Sequence, residues 1–164
     1  MFHAKNYIKV TSLEEAYELN QKKSNAIIGG MLWLKMSNRN MQTAIDLSGL
    51  GLDKIEEQED AFSIGCMCTL RQLEIHEALN RYFGGAMKAC TRHIVGTQFR
   101  NGATVGGSIF GRFGFSDILT CLLALDTYVE LYHAGVIALS EFVEMPRDND
   151  ILVRIIIKKD GRKD

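Results

Sequence analysis

With 164 residues, 46% hydrophobic and 24% charged, the chain has ordinary globular proportions and is long enough for one domain or for two small lobes sharing a core. Its 19 basic and 20 acidic residues leave a net charge of -1, which excludes the basic surplus that drives nucleic-acid binding. No apolar run approaches the ~20 residues of a bilayer span, the N-terminus MFHAKNYIKV carries no signal-peptide core, and the four cysteines (66, 68, 90 and 121) lack paired C-x-x-C spacing, so a cytoplasmic protein is expected.

The first predicted element is a strand over Tyr7–Val10, followed by a helix in TSLEEAYELNQ. Thr11 or Ser12 caps that helix with Glu14 and Glu15 as reciprocal partners, and Leu13, Ala16 and Leu19 form its inner face. Asn25–Ile28 reads as a short buried strand running into Gly29 and Gly30, and Thr43–Leu47 as the next strand. This order predicts a small βαβ lobe. The polar segment from Leu52 to Asp60 marks a boundary, dividing the chain into lobes 1–56 and 57–164.

In the second lobe AFSIGCMCT is expected to be a strand, with Ile64, Cys66 and Cys68 on one face. Thr69 caps a helix over TLRQLEIHEALNRYF with Gln72 at the reciprocal position, and a further helix covers Gly85–Ile94. Next comes RNGATVGGSIFGRFGFSD, with five glycines in eighteen residues, read as a loop; Ser116 and Asp117 then open a helix through ILTCLLALDT. TYVELY and GVIAL predict a hairpin around His133–Gly135, LSEFV a helical turn, and ILVRIIIK at 151–158 the strongest strand of the chain. A strand so apolar, followed only by KDGRKD, points to a shortened chain.

Three stretches carry candidate chemistry. In AIIGG the glycines after a buried strand let bare N–H groups approach a phosphate, although a plain turn also explains a glycine pair. In ATVGGS, Thr104 and Ser108 supply hydroxyls while Gly106 and Gly107 allow close approach; a bulge or tight bend is the alternative. Ser116 and Asp117 cap a helix and offer acceptors to ligand hydroxyls. Cys66 and Cys68 lack further ligands at workable spacing, so they read as structural thiols, with no metal expected. His3, His76, His93 and His133 form no local triad pattern, and no catalytic acid or base is assigned.

Taken in order, AIIGG, IGCMCTLRQLE, QFRNGATVGGSI, SDILTCLLALDTYVEL, IALSEF and DILVRIIIK resemble the FAD-binding (medium) subunit of the molybdenum hydroxylases, the family of xanthine dehydrogenase and carbon monoxide dehydrogenase. The resemblance runs from Phe2 to about Lys159 and rests most on RN-x-A-T-V-GG followed by Ser116-Asp117. It implies an α+β, two-lobed FAD-binding fold of the PCMH/vanillyl-alcohol-oxidase type: a small βαβ lobe plus a larger α/β lobe, with the family's C-terminal lobe missing. By resemblance, Ile27, Ile28, Gly29, Gly30, Met31, Leu32 and Trp33 lie against the FAD pyrophosphate and adenosine. Ala103, Thr104, Gly107, Ser108 and Gly111 line the second phosphate and ribityl contact, Ser116 and Asp117 hold ribityl or adenosine hydroxyls, and Ile94, Val95, Phe99 and Leu152 supply apolar walls.

The implied function is electron transfer from iron–sulfur clusters through FAD to an acceptor such as NAD, beside an iron–sulfur subunit and a molybdopterin subunit, with this fragment inactive alone. The chain departs from the family at Met31 and Leu32, where a polar residue follows the double glycine, at Ser108 for the usual Asn, and in GRFGF. The alternative these departures raise is an assembly module of the same complex that has lost its flavin.

Overall fold

The computed structural model describes residues 1–161. Two sheets organise it. The first contains β1 (His3–Lys9), β2 (Asn25–Ile28) and β3 (Asn40–Asp46), with β3 central and parallel to both neighbours. Helix α1 (Leu13–Asn20) connects β1 to β2. Its start follows from local chemistry: the Ser12 hydroxyl accepts the Glu15 N–H at 3.1 Å, and the Glu15 carboxylate accepts the Thr11 N–H at 2.8 Å.

The second sheet is antiparallel, in the order β4 (Ile55–Glu57), β5 (Ala61–Gly65), β8 (Leu152–Lys158), β6 (Thr127–Leu131), β7 (Gly135–Ala138). The apolarity of β8 is explained by its place: it pairs with β5 on one side and β6 on the other, and buries Leu152, Val153, Ile155 and Ile157. The polar segment read as a boundary contains β4, an exposed edge strand paired with β5, so a division after residue 56 passes through that strand. The hairpin expected around His133 is β6–β7, clamped by the Asp150 carboxylate, which accepts the His133 and Ala134 N–H groups at 2.9 Å each.

Seven helices accompany this sheet: α2 (Leu70–Ile75), α3 (Glu77–Tyr82), α4 (Ala86–Thr91), α5 (Thr97–Gly102), α6 (Val105–Phe110), α7 (Asp117–Leu123) and α8 (Leu139–Glu144). Thr69 and Gln72 form the expected capping box. The helix predicted to continue through Phe83 is broken at His76, whose backbone is extended and whose Nδ1 accepts the Leu79 N–H at 3.2 Å. Asn80 makes the break stable: its amide donates to the carbonyls of Leu73, Glu74 and His76, which close the end of α2.

Two further expectations are corrected. The β5 strand stops at Gly65, and Cys66–Cys68 form a turn, because the Cys66 N–H donates to Val153 and the Met67 N–H to Leu52. A Cβ at Gly65 would stand 2.1 Å from the Leu52 carbonyl oxygen, so only glycine permits that crossing. The ATVGGS stretch, read as a loop, is the first turn of α6. One core joins the two halves, taking Val10, Ala16, Ile45 and Leu47 from the first sheet, its strand ends and α1, and Phe62, Ile64, Leu73 and Phe142 from the second sheet and its helices. A small satellite core of Ile28, Met41 and Ala44 holds Met31 and Leu34.

Candidate functional site

A cleft of about 360 Å³ opens where the C-terminal end of β2, the start of α6 and the segment before β8 meet. Of the residues singled out in the sequence, Ile27, Ile28, Gly29, Thr104, Gly107, Gly111 and Leu152 line it. The two glycines ending β2 make this meeting possible. A Cβ at Gly29 would lie 2.4 Å from Thr104 Oγ1, and one at Gly30 would lie 1.6 Å from the Gly102 carbonyl oxygen. They bring one backbone against another and place the following loop at the cleft.

Gly30, Met31, Leu32 and Trp33 continue from that loop. Met31 has φ +59°, a left-handed conformation that a long side chain rarely adopts. Its side chain packs into the satellite core, Leu32 covers Gly102, and Trp33 meets the Phe99 ring edge-on at 5.6 Å. Met31 and Leu32 therefore pack on the protein, while Trp33 stays largely exposed beyond its Phe99 contact. Among the described residues, the N–H groups of Gly29, Gly30, Met31, Leu32 and Trp33 donate to no protein acceptor. Successive unpaired amides around a left-handed residue form a concave anion receptor.

The start of α6 behaves differently from the expectation. Thr104 caps it, with Oγ1 accepting the Gly107 N–H at 3.2 Å. The Val105 N–H donates to Cys68 and the Gly106 N–H to Cys66, each at 2.8 Å. These amides are already satisfied, so they are not free to cradle a phosphate. Gly106 is buried, with a Cβ position 2.7 Å from the Cys66 oxygen; it packs α6 on the turn after β5 and, with Gly107, also lines the cleft. The Thr104 hydroxyl hydrogen remains available beside the cleft.

The remaining predicted residues lie away from the cleft lining. Ala103 turns its carbonyl to the Leu70 N–H. Ser108 Oγ donates to Thr104, and Ser116 caps α7 while its hydroxyl reaches the Ser108 carbonyl at 3.5 Å. The Asp117 carboxylate is exposed and has no hydrogen-bond or ion-pair partner among the described residues. Ile94 and Phe99 are half-buried and Val95 is exposed; Phe99 lies on α5 against Trp33, while Ile94 and Val95 precede that helix. The Glu74–Arg100 ion pair fixes α5 from behind: Arg100 Nε meets Glu74 Oε2 at 2.8 Å, with both side chains buried, and holds the Glu74 carboxyl below its usual range.

Sequence reading missed Arg39 and Arg147, which bring positive charge to a cleft that also holds Asp148 and Asp150, and Asn25, Met67 and Phe110 in its walls. No local motif marks them, because they converge from separate elements. The Arg39 guanidinium has no carboxylate partner among the described residues, and Arg147 donates to the Gly111 carbonyl. Among the described residues no group of three His, Cys, Asp or Glu could hold a metal ion, and no helix is long and apolar enough to cross a membrane.

Residues 2–159 match the family described as FAD binding domain in molybdopterin dehydrogenase. The chain belongs to that family. Its fold is that of the Cu,Mo-CO dehydrogenase, with a TM-score of 0.83 at 20% identity over 96% of this chain and 60% of the other. It equally matches quinoline 2-oxidoreductase from Pseudomonas putida 86, with a TM-score of 0.85 at 19% identity over 98% and 61% of the two chains. In sequence it is 28% identical over 156 residues to the uncharacterized protein YgfM of Escherichia coli K12, covering 93% of this chain and 58% of that one. The chain thus spans somewhat over half the length of these relatives. FAD is the cofactor of this family, and the unpaired amides beside a cleft with two arginines fit a dinucleotide's charged pyrophosphate.

Proposed function

We propose that this domain is the FAD-carrying electron-transfer component of a molybdenum-containing hydroxylase or dehydrogenase of the xanthine dehydrogenase type, working beside an iron–sulfur subunit and a molybdopterin subunit. Bound FAD supplies the redox chemistry, accepting electrons from the iron–sulfur side and passing them to an acceptor such as NAD. The residues of this chain bind and orient it. The amides of Gly29 to Trp33 hold the pyrophosphate, Arg39 and Arg147 balance its charge, and the Thr104 hydroxyl and Asp117 carboxylate take the remaining phosphate and sugar contacts. Ile27, Ile28 and Leu152 wall the cleft, Ile94, Val95 and Phe99 supply the outer apolar face, and the two lobes, each built on its own sheet, close on the cofactor from two sides.

The observation that carries this reading is the run of five unpaired N–H groups that begins at Gly29 on the cleft wall and continues along the loop leaving it. It also favours flavin binding over an assembly module without cofactor, because Met31 and Leu32 pack on protein and leave the adjoining amides uncovered by them. We assign no catalytic acid or base to the chain; substrate oxidation belongs to the molybdenum subunit.

Co-expression with the candidate iron–sulfur and molybdenum subunits, followed by a visible spectrum and quantification of heat-released FAD, tests the proposal. One FAD per chain in a co-purifying complex is expected. A folded, colourless chain that takes up no added FAD overturns it.

A further inference from the structure

The four free cysteines divide into two pairs of opposite character. Cys66 and Cys68 are 3% and 0% exposed, and burial pushes their thiols up to about 12 and about 11, leaving them un-ionised near neutral pH. Cys90 and Cys121 are half-buried, on α4 and α7, two helices packed directly on each other. Cys121 Sγ lies 4.0 Å from the Ala86 carbonyl oxygen, one helical turn before Cys90 on the facing helix. Cys90 Sγ in turn lies 3.3 Å from the Met87 carbonyl oxygen, so both sulfurs sit over the same turn of α4, close enough that each thiol shifts the ionisation of the other.

We propose that Cys90 and Cys121 form an oxidation site, a dithiol that a hydroperoxide converts into a disulfide between α4 and α7. The contact sets the roles of the two sulfurs. Hydrogen bonding from Cys90 holds the Cys121 thiol below its ordinary range, while the same contact and burial push Cys90 up. Cys121 is therefore the first to ionise and attack. Its thiolate takes the terminal peroxide oxygen, breaking the O–O bond and releasing water or an alcohol, and becomes a sulfenic acid. The Cys90 sulfur then displaces the sulfenic oxygen as water, forming the S–S bond. Two thiols and one hydrogen peroxide give one disulfide and two waters; the sulfurs lose the two electrons that the peroxide gains. The cross-link fixes α7, whose first turn presents Ser116 and Asp117, against α4.

The test is treatment of the folded chain with hydrogen peroxide, alkylation under denaturing conditions, and tryptic mapping without reductant. A linked peptide joining residues 89–92 to 113–147 is expected, with Cys66 and Cys68 recovered as reduced thiols. The oxidised protein melts at a higher temperature, and a reductant reverses the change. In C90S the reaction stops at a sulfenic acid on Cys121, trapped by dimedone. In C121S peroxide-dependent thiol loss slows on the order of tenfold. Thiol loss from the wild-type chain without the linked peptide, or with Cys66 or Cys68 oxidised first, overturns the proposal; so does a sulfenic acid on Cys90 in the wild type.

Discussion

Gly30→Ala is the sharpest perturbation of the loop that ends β2. The added Cβ would stand 1.6 Å from the Gly102 carbonyl oxygen and 2.5 Å from its carbon, where ordinary contact begins at 3.4 Å. The obstacle is backbone, so no rotamer change relieves it, and the loop must separate from the end of α5 by roughly 1.8 Å. Overpacking of this kind costs about 3 kcal/mol. At about 2 to 4 °C per kcal/mol for a chain of this size, Tm falls by roughly 6 to 12 °C. The same displacement moves the unpaired amides of Gly29 to Trp33, so FAD affinity drops by at least about tenfold in whatever fraction remains folded.

Gly114→Ala is the control: nothing lies within 4 Å of its Cβ position and its φ is not left-handed. Loss of unfolded-state entropy raises stability there by about 0.4 to 1 kcal/mol. Thermal unfolding followed by circular dichroism, with flavin fluorescence titration of both variants, reads these effects. A G30A protein that melts within about 2 °C of wild type and binds FAD normally would refute the close backbone approach.

Thr104→Ala removes the cap of α6 and lowers stability by about 1 kcal/mol in a denaturant titration, while Thr104→Ser restores it; equal stability of the two variants contradicts the capping role. Glu74→Gln leaves the buried Arg100 without its ion-pair partner and costs about 3 to 5 kcal/mol. Because the folded Glu74 carboxyl is held below the 4.5 of the free group, its contribution is complete above that pH and is lost as pH falls through the lowered value. Wild type accordingly loses stability on acidification over that window, and E74Q lacks this component of the pH dependence; parallel curves refute it. Asp117→Asn, at an exposed and unpartnered carboxylate, weakens FAD binding by roughly tenfold with Tm nearly unchanged, as checked by calorimetric titration.

What could be read in the sequence was mostly what neighbouring residues decide. The Ser12 and Thr69 caps and the β6–β7 hairpin depend on contacts a few residues apart, and each has its expected counterpart. The start of α6 was illegible because two glycines argue against a helix, each at about 1 kcal/mol relative to alanine. The Cys66 and Cys68 carbonyls, distant in sequence, supply acceptors that offset this and draw the backbone into close packing. The same distance hid the break at His76, set by the amide of Asn80, and the edge strand β4, whose polar residues gain order only by pairing with β5.

At the cleft, residue types pointed to phosphate, yet the donors changed. The glycines of ATVGGS line the cleft while their amides serve helix packing and capping, and the loop with the less promising side chains, Met31 to Trp33, offers the free N–H groups. Side-chain polarity is the visible signal in a sequence, whereas backbone amides are equally present at every non-proline residue and become distinctive only when folding leaves them unpaired. Arg39 and Arg147 carry no motif at all, and their convergence on the cleft is a product of topology.

The most direct test of the account is amide chemical-shift mapping by NMR on the folded chain during titration with FAD. Saturable one-to-one binding is predicted, with the largest shifts at the N–H groups of Gly29, Gly30, Met31, Leu32 and Trp33, and little change at Val105 and Gly106, whose amides are already bonded. Binding that moves the amides of Val105 and Gly106 while leaving residues 29–33 unshifted, or no saturable binding to the folded chain, would contradict it.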